Sequence, residues 1–210
     1  LCKASGPGWD MMSNLDWAAI ALWCMANGYQ PRGNTNYGRS HGKRWETGRR
    51  QDNAEPGLAS GTARTLTGSG PAAWAHDGTS AGIHDLVGNV WEWVSGMKLV
   101  SGRVWLAPDN GRTEENQYID TGFNFTNASS FPAASNAGAN ELVKRSLIVP
   151  ASAALAPTGY YNGNSDGERL PIRGGAWNAA GSAGLGALSL TYARTVASTT
   201  FGFRPRFRAQ

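Results

Sequence analysis

The sequence predicts an α+β fold that is loop-rich, with small antiparallel sheets and few helices. Three observations carry that expectation. One segment near the start repeats apolar residues at helical spacing. Several short stretches alternate as strands do. Glycine (28 of 210 residues) and tryptophan (9) are both abundant. Glycines permit irregular turns, and large rings pin a backbone that has few long ladders of its own. Charged residues make up 16% of the chain, against roughly 25% in an average globular protein. With so many aromatics, that composition argues against disorder. The length suits a single domain over residues 1–210 with a sizeable core. A net charge of +4 allows a mildly basic surface without pointing to nucleic acid.

The helix comes first. Ser13 is placed to cap it, and Asp16, three residues on, can complete a capping box. Trp17, Ile20, Ala21 and Cys24 follow at helical spacing, with Trp17 and Ile20 facing the core. Gly28 ends the helix and Pro31 follows. Residues 33–82 show little periodicity. Their basic run (Arg39, His41, Lys43, Arg44, Arg49, Arg50) reads as a solvated loop anchored by Trp45. No glycine-rich turn leads into Gly-Lys-Ser/Thr, so phosphate-loop spacing is absent.

The densest segment is GIHDLVGNVWEWV, residues 82–94. Gly88-Asn89 signals a turn, and Trp91 and Trp93 alternate with Glu92, so a strand here puts both rings on one face. Lys98–Val100, Ser101-Gly102 and Arg103–Leu106 read as a tight hairpin. Residues 107–170 are polar and irregular, an unassigned insert of long loops with small strands. Arg173-Gly174-Gly175-Ala176-Trp177 reads as a strand crowded by glycines, and Gly202-Phe203-Arg204 heads a last strand ending near Phe207. The uncharged run 174–193 is long enough to span a membrane. Its five glycines and sparse leucines argue against insertion. Cys2 and Cys24 could form one bridge and leave the redox compartment open. Because the chain begins at Leu1, it is expected to be the C-terminal part of a longer protein.

GIHDLVGNVWEWV, RGGAW and the terminal GFR, in that order, resemble the formylglycine-generating-enzyme (sulfatase-modifying factor) branch of the C-type lectin fold. The resemblance implies scaffold roles. Trp91, Trp93 and Trp177 would fill the core, Gly174 and Gly175 would allow close backbone approach, and Arg173 and Arg204 would tie loops to strands. Glu92, Gly202 and Phe203 belong to the same scaffold set. Family oxidases carry a reactive cysteine pair between the RGG and GFR motifs, and here residues 176–201 contain none. A related iron enzyme needs clustered histidines, whereas His41, His76 and His84 are scattered. Asp85 and Glu92 are candidate acids, with Glu92 better read as a buried hydrogen-bonding partner. The expectation is therefore no enzyme, no catalytic residue and no cofactor.

Residues 173–204 are also similar to the variable region of proteins diversified by retroelements, in which an error-prone reverse transcriptase rewrites template adenines. Asn178–Phe203 contains no Lys, Glu, Asp, Gln, Met, Trp, Cys, His or Pro, and its one charge is Arg194. Rewriting the two adenines of AAC codons never yields Lys, Glu, Gln, Met or Trp, which accounts for much of that alphabet. The resemblance implies a display protein whose diversified residues are Ala176, Asn178, Ala179, Ser182, Ser189, Thr191, Tyr192, Val196, Ser198, Thr200 and Phe201. Phe201 has a core role beside Gly202 as its alternative. Alternation sends Ser189 and Thr191 outward and Leu188 and Leu190 inward. The implied partner is a protein or glycan receptor met at a virion or cell surface, with neither nucleic acid nor membrane insertion. The alternatives are an oxidase relative and a calcium-dependent lectin. For calcium, Asp109, Asn110, Glu114, Glu115 and Asp120 offer oxygens without ligand periodicity, and read better as a solvated acidic loop.

Overall fold

The predicted capping box forms. Ser13 Oγ accepts from the Asp16 amide at 3.1 Å and Asp16 Oδ2 accepts from the Ser13 amide at 3.0 Å, so α1 (Asn14–Ala26) starts directly after Ser13. This computed structural model describes residues 2–109, 115–133 and 138–208. Trp17, Ala18, Ala21 and Cys24 form the buried stripe of α1, and Ile20 packs half-buried at its margin. Trp17 Nε1 donates to the Leu185 carbonyl at 3.0 Å, which fixes the helix against the sheet. Gly28 follows the helix at φ +68, a conformation that costs a glycine little.

The described residues form ten strands: β1 (Trp9–Met11), β2 (Trp91–Trp93), β3 (Met97–Val100), β4 (Arg103–Leu106), β5 (Ile119–Asn124), β6 (Tyr161–Gly163), β7 (Glu168–Gly174), β8 (Gly184–Tyr192), β9 (Phe201–Phe203) and β10 (Pro205–Phe207). The architecture is mixed α+β: a two-stranded sheet and one eight-stranded sheet with two parallel pairs, where the sequence predicted only small antiparallel sheets. β1 pairs with β10, so the two ends of the described chain meet. Elsewhere β7 is central. Ile172 and Arg173 pair with β2 on one edge and β8 on the other, while β3 continues along β7 at Glu168 and Arg169. β6 pairs with β8, β9 runs parallel to β2, and the predicted hairpin appears as β3–β4 with β5 added to it.

Residues 107–170 are no appendage. Phe123, Phe131, Val143, Leu147, Ile148 and Val149 lie in the main core, and the segment supplies β5, β6, the first residues of β7 and a short helix, α2 (Glu141–Arg145). The sequence reading had only loops and small strands here; Asn140 caps α2, its side chain accepting from the Val143 amide at 3.0 Å, with Glu141 in the first turn.

The basic run needs correction. Trp45 anchors nothing: it is 76% exposed, with the Lys43 ammonium 5.2 Å from its ring centre. Trp74 is the buried ring, donating to Glu46 Oε2 at 3.1 Å. Arg50 is buried rather than solvated, held by Asp52 and by the carbonyls of Leu58 and Ser60 at 2.6 Å each. Its donors saturate backbone acceptors that a loop without ladders would otherwise leave unpaired. No helix among the described residues is long and apolar enough to cross a membrane, and 174–193 forms a turn and β8 instead.

Candidate ligand-display face

The frame under the site is built from the three sequence motifs, which lie on adjacent strands β7, β2 and β9. Arg173 is fully buried. Its Nε and Nη2 donate to Asn14 Oδ1 at 2.9 and 2.7 Å, and Nη2 also reaches the carbonyls of Ser146 and Leu147 at 3.1 Å each. One side chain thus ties β7 to α1 and to the turn after α2. Glu92 is buried on the same side of the sheet, its carboxylate accepting from Arg204 Nε at 3.1 Å and Nη2 at 2.6 Å. Gly174 and Gly175 have φ near +90, and a β-carbon on Gly174 would lie 2.6 Å from the Leu86 carbonyl oxygen. Trp177 is buried, its amide donating to the Asn89 carbonyl at 3.0 Å.

Asp85, in the first motif, is buried at φ 62 with one oxygen accepting from the Gly68 amide and the other unpartnered. Burial holds its carboxyl above the usual carboxylate range, against the opposing pull of that amide and of Arg204. A raised folded-state pKa means the fold takes up its proton before the unfolded chain does. Stability from this group is therefore gained as pH falls toward 3.8 and lost as pH rises through the folded pKa. Asp85→Asn, which tolerates the same backbone conformation, removes that dependence. Urea midpoints should show the parent chain gaining on the variant as pH is lowered from neutral toward 4, and parallel profiles would refute this.

Trp91 and Trp93 do not fill the core. Both are half-buried on the sheet face opposite Glu92, and they lead an aromatic layer. Trp93 meets Phe201 with ring centres 5.5 Å apart, Phe201 meets Tyr192 at 4.8 Å, and Trp91 meets Tyr160 at 6.1 Å. The alternation of the two rings with Glu92 was legible, but the inward side was not. It goes to Glu92 because Arg204 meets it there. Phe203, placed with the scaffold, is 43% exposed and lines a 340 Å³ cleft with Cys2, Lys3, Asp10 and Met11.

The stretch between β8 and β9, residues 193–200, closes a parallel connection between strands separated by β7 and β2. With α1 occupying the other face through Trp17 and Asn14, these eight residues pass over the aromatic side. Val196 and Ser198 are exposed there, Thr200 and Phe201 half-buried. Thr191 and Tyr192, at the end of β8, are half-buried beside them. Asn178 and Ser182 are exposed and Ala179 half-buried in the turn before β8. Tyr160 ties that turn to the aromatic layer: its amide donates to the Ser182 carbonyl at 2.8 Å and its ring meets Trp91.

Two expected display residues are corrected. Ala176 and Ser189 are each 2% exposed, out of reach of any ligand. Alternation did send Ser189 away from the leucines: Leu188 and Leu190 are wholly buried in the core, and Ser189 shares the register row of Trp93 and Ile172. That outward face is itself covered. Ile172 and Ala187 on that face are wholly buried too, and Ser189 Oγ donates to Thr191 Oγ1 at 3.2 Å. Period two gives a direction and does not guarantee water at the end of it.

Charge on this face is cancelled locally. Arg194 donates to Glu115 from both terminal nitrogens, at 3.1 Å from Nη1, and from Nη2 to Glu168 Oε1 at 2.8 Å; Lys98 lies 3.8–3.9 Å from the same two carboxylates. Arg194 in turn holds the Glu115 carboxyl below its ordinary range. The sequence offered Glu115 only as a calcium oxygen and did not single out Glu168, since both come from segments distant from Arg194.

Other chemistry is sparse. Cys2 and Cys24 are both free. Cys24 donates to the His76 carbonyl at 3.1 Å and burial pushes its thiol up to about 11, the opposite of nucleophile activation. Among the described residues no three His, Cys, Asp or Glu side chains group where they could hold a metal. Of the expected calcium oxygens, Asn110 and Glu114 lie outside the described residues, Glu115 is paired as above, and Asp120 pairs with Arg103 at 2.9 Å. In comparison with known proteins, the chain matches no family model and no curated protein.

Proposed function

We propose that this chain is a non-enzymatic ligand-display protein of the retroelement-diversified kind, built on a C-type-lectin frame like that of the formylglycine-generating enzyme. The observation that carries the reading is the contrast across Tyr192. Before it, β8 is buried and laddered on both edges; after it, residues 194–199 are exposed and drawn from the restricted alphabet. A surface whose side chains can be exchanged without cost to the core is what diversification requires. The chain sits at a virion or cell surface and its partner is a protein or glycan receptor on a target surface, bound by shape and hydrogen bonding with Tyr192 as anchor, since rigid aromatics dominate hot spots at low entropic cost.

The direct test is the DNA beside the gene. It should hold a near-copy of the 3′ end that differs almost only at adenines, next to a reverse transcriptase gene. A locus without such a copy overturns the reading. Because Arg194 is neutralised in place, affinity for the receptor should change by less than about twofold between low and physiological salt. Tyr192→Ala should weaken binding by about 30-fold, the scale of a hot-spot residue. Calorimetric titration at several salt concentrations reads both, and a steep salt slope would move the site elsewhere.

A further inference from the structure

Arg173 presents an unusual account of charge and hydrogen bonds. Its side chain is wholly buried. No carboxylate among the described residues forms an ion pair with it; Glu92, opposite it in the β2–β7 ladder, is committed to Arg204. Tyr161, the ionisable group whose charge would act on it, is pushed up by burial and stays neutral. Burial pushes the guanidinium itself down to about 9, which leaves it protonated at neutral pH. A buried cation without a counter-charge is costly by several kcal/mol.

The hydrogen-bond inventory is equally one-sided. Arg173 Nη1 and Ser146 Oγ are both buried without a partner, on residues already joined by the bond from Nη2 to the Ser146 carbonyl. The neighbouring acceptors are taken. Asn14 Oδ1 accepts twice from Arg173, and the Ser146 carbonyl accepts from both Asn14 Nδ2 and Arg173. The Leu147 carbonyl already accepts from Arg173. A water placed here would satisfy the two donors but would have to orient its own two hydrogens among acceptors that are nearly saturated. A monovalent anion accepts from donors only, and it supplies the missing charge. The positive end of α1, whose first residue is Asn14, adds to the same field.

The geometry points to a structural site for one halide-sized anion, chloride in class, held between Arg173 Nη1 and Ser146 Oγ where α1, β7 and the turn after α2 meet. The ion clamps the floor beneath the display face and is independent of what that face binds. Both donors are buried from solvent, so the proposed ion is a small one, not gluconate or sulfate.

The test uses the full chain, unfolded and refolded in halide-free buffer, and compares thermal midpoints in sodium chloride, sodium bromide and sodium gluconate at equal ionic strength. The midpoint should rise saturably with chloride and bromide and stay flat in gluconate. Ser146→Ala, which removes a donor that has no protein partner, should fold and should need several-fold more chloride for the same rise. Crystals grown in bromide should show an anomalous peak within hydrogen-bonding distance of both donors. Equal midpoints in chloride and gluconate, or water-like density without an anomalous signal, would overturn the assignment.

Discussion

Glu92→Leu should lower stability to urea by about 3 kcal/mol, the low end of what breaking a buried ion pair costs. The low end applies because the Arg204 side chain is 20% exposed and keeps its 2.9 Å bond to the His84 carbonyl. Burial raises the Glu92 carboxyl above its ordinary range even with Arg204 beside it, so desolvation offsets much of what the pairing contributes. The two single variants and the double variant therefore separate the effects. Arg204→Met alone should also be strongly destabilised, whereas Glu92→Leu with Arg204→Met should recover most of the loss. A double variant as unstable as the sum of the singles would show that the two residues act independently. Placing an expensive pair here makes structural sense. β9 is only three residues long and meets β2 on one edge, so Arg204, directly after it, fixes the point where the exposed stretch re-enters the frame.

The frame was legible in the sequence where the physics is local. Ser13 and Asp16 cap α1 because a capping box needs nothing beyond three residues of spacing. The β3–β4 hairpin follows from Ser101-Gly102, and the close approach expected at Gly174 and Gly175 is met against Leu86 and Ala183. What could not be read locally was partnership at a distance. Trp45 and Trp74 are equally apolar, and which is buried depends on Glu46 and the surrounding loops. Within the display set, Ser189 and Thr191 look alike in the strand pattern and share a hydrogen bond, yet Ser189 is buried and Thr191 half-open. The neutralisation of Arg194 likewise needs Glu115 and Glu168, which no spacing rule connects to it.

Leu188→Ala should cost about 2–5 kcal/mol, while substitutions at Asn178, Val196 and Ser198 should each stay within about ±0.5 kcal/mol. Leu188 is wholly buried and sits in register with both Tyr161 and Arg173, so truncating it opens a cavity between two ladders that cannot collapse independently. The three surface positions touch water, and even bulky replacements there displace only solvent. Ser189 is the informative intermediate. Ser189→Tyr is expected to cost about 1–3 kcal/mol, as overpacking does, because position 189 is 2% exposed and the ring would have to enter packed space. Urea midpoints for the five variants should thus fall into three tiers that follow accessibility rather than the strand pattern. If Ser189→Tyr is as well tolerated as Ser198→Tyr, the cover over β8 opens readily and position 189 returns to the display set. If Val196 or Ser198 proves as sensitive as Leu188, the stretch between β8 and β9 is structural, and a protein diversified there could not keep its fold.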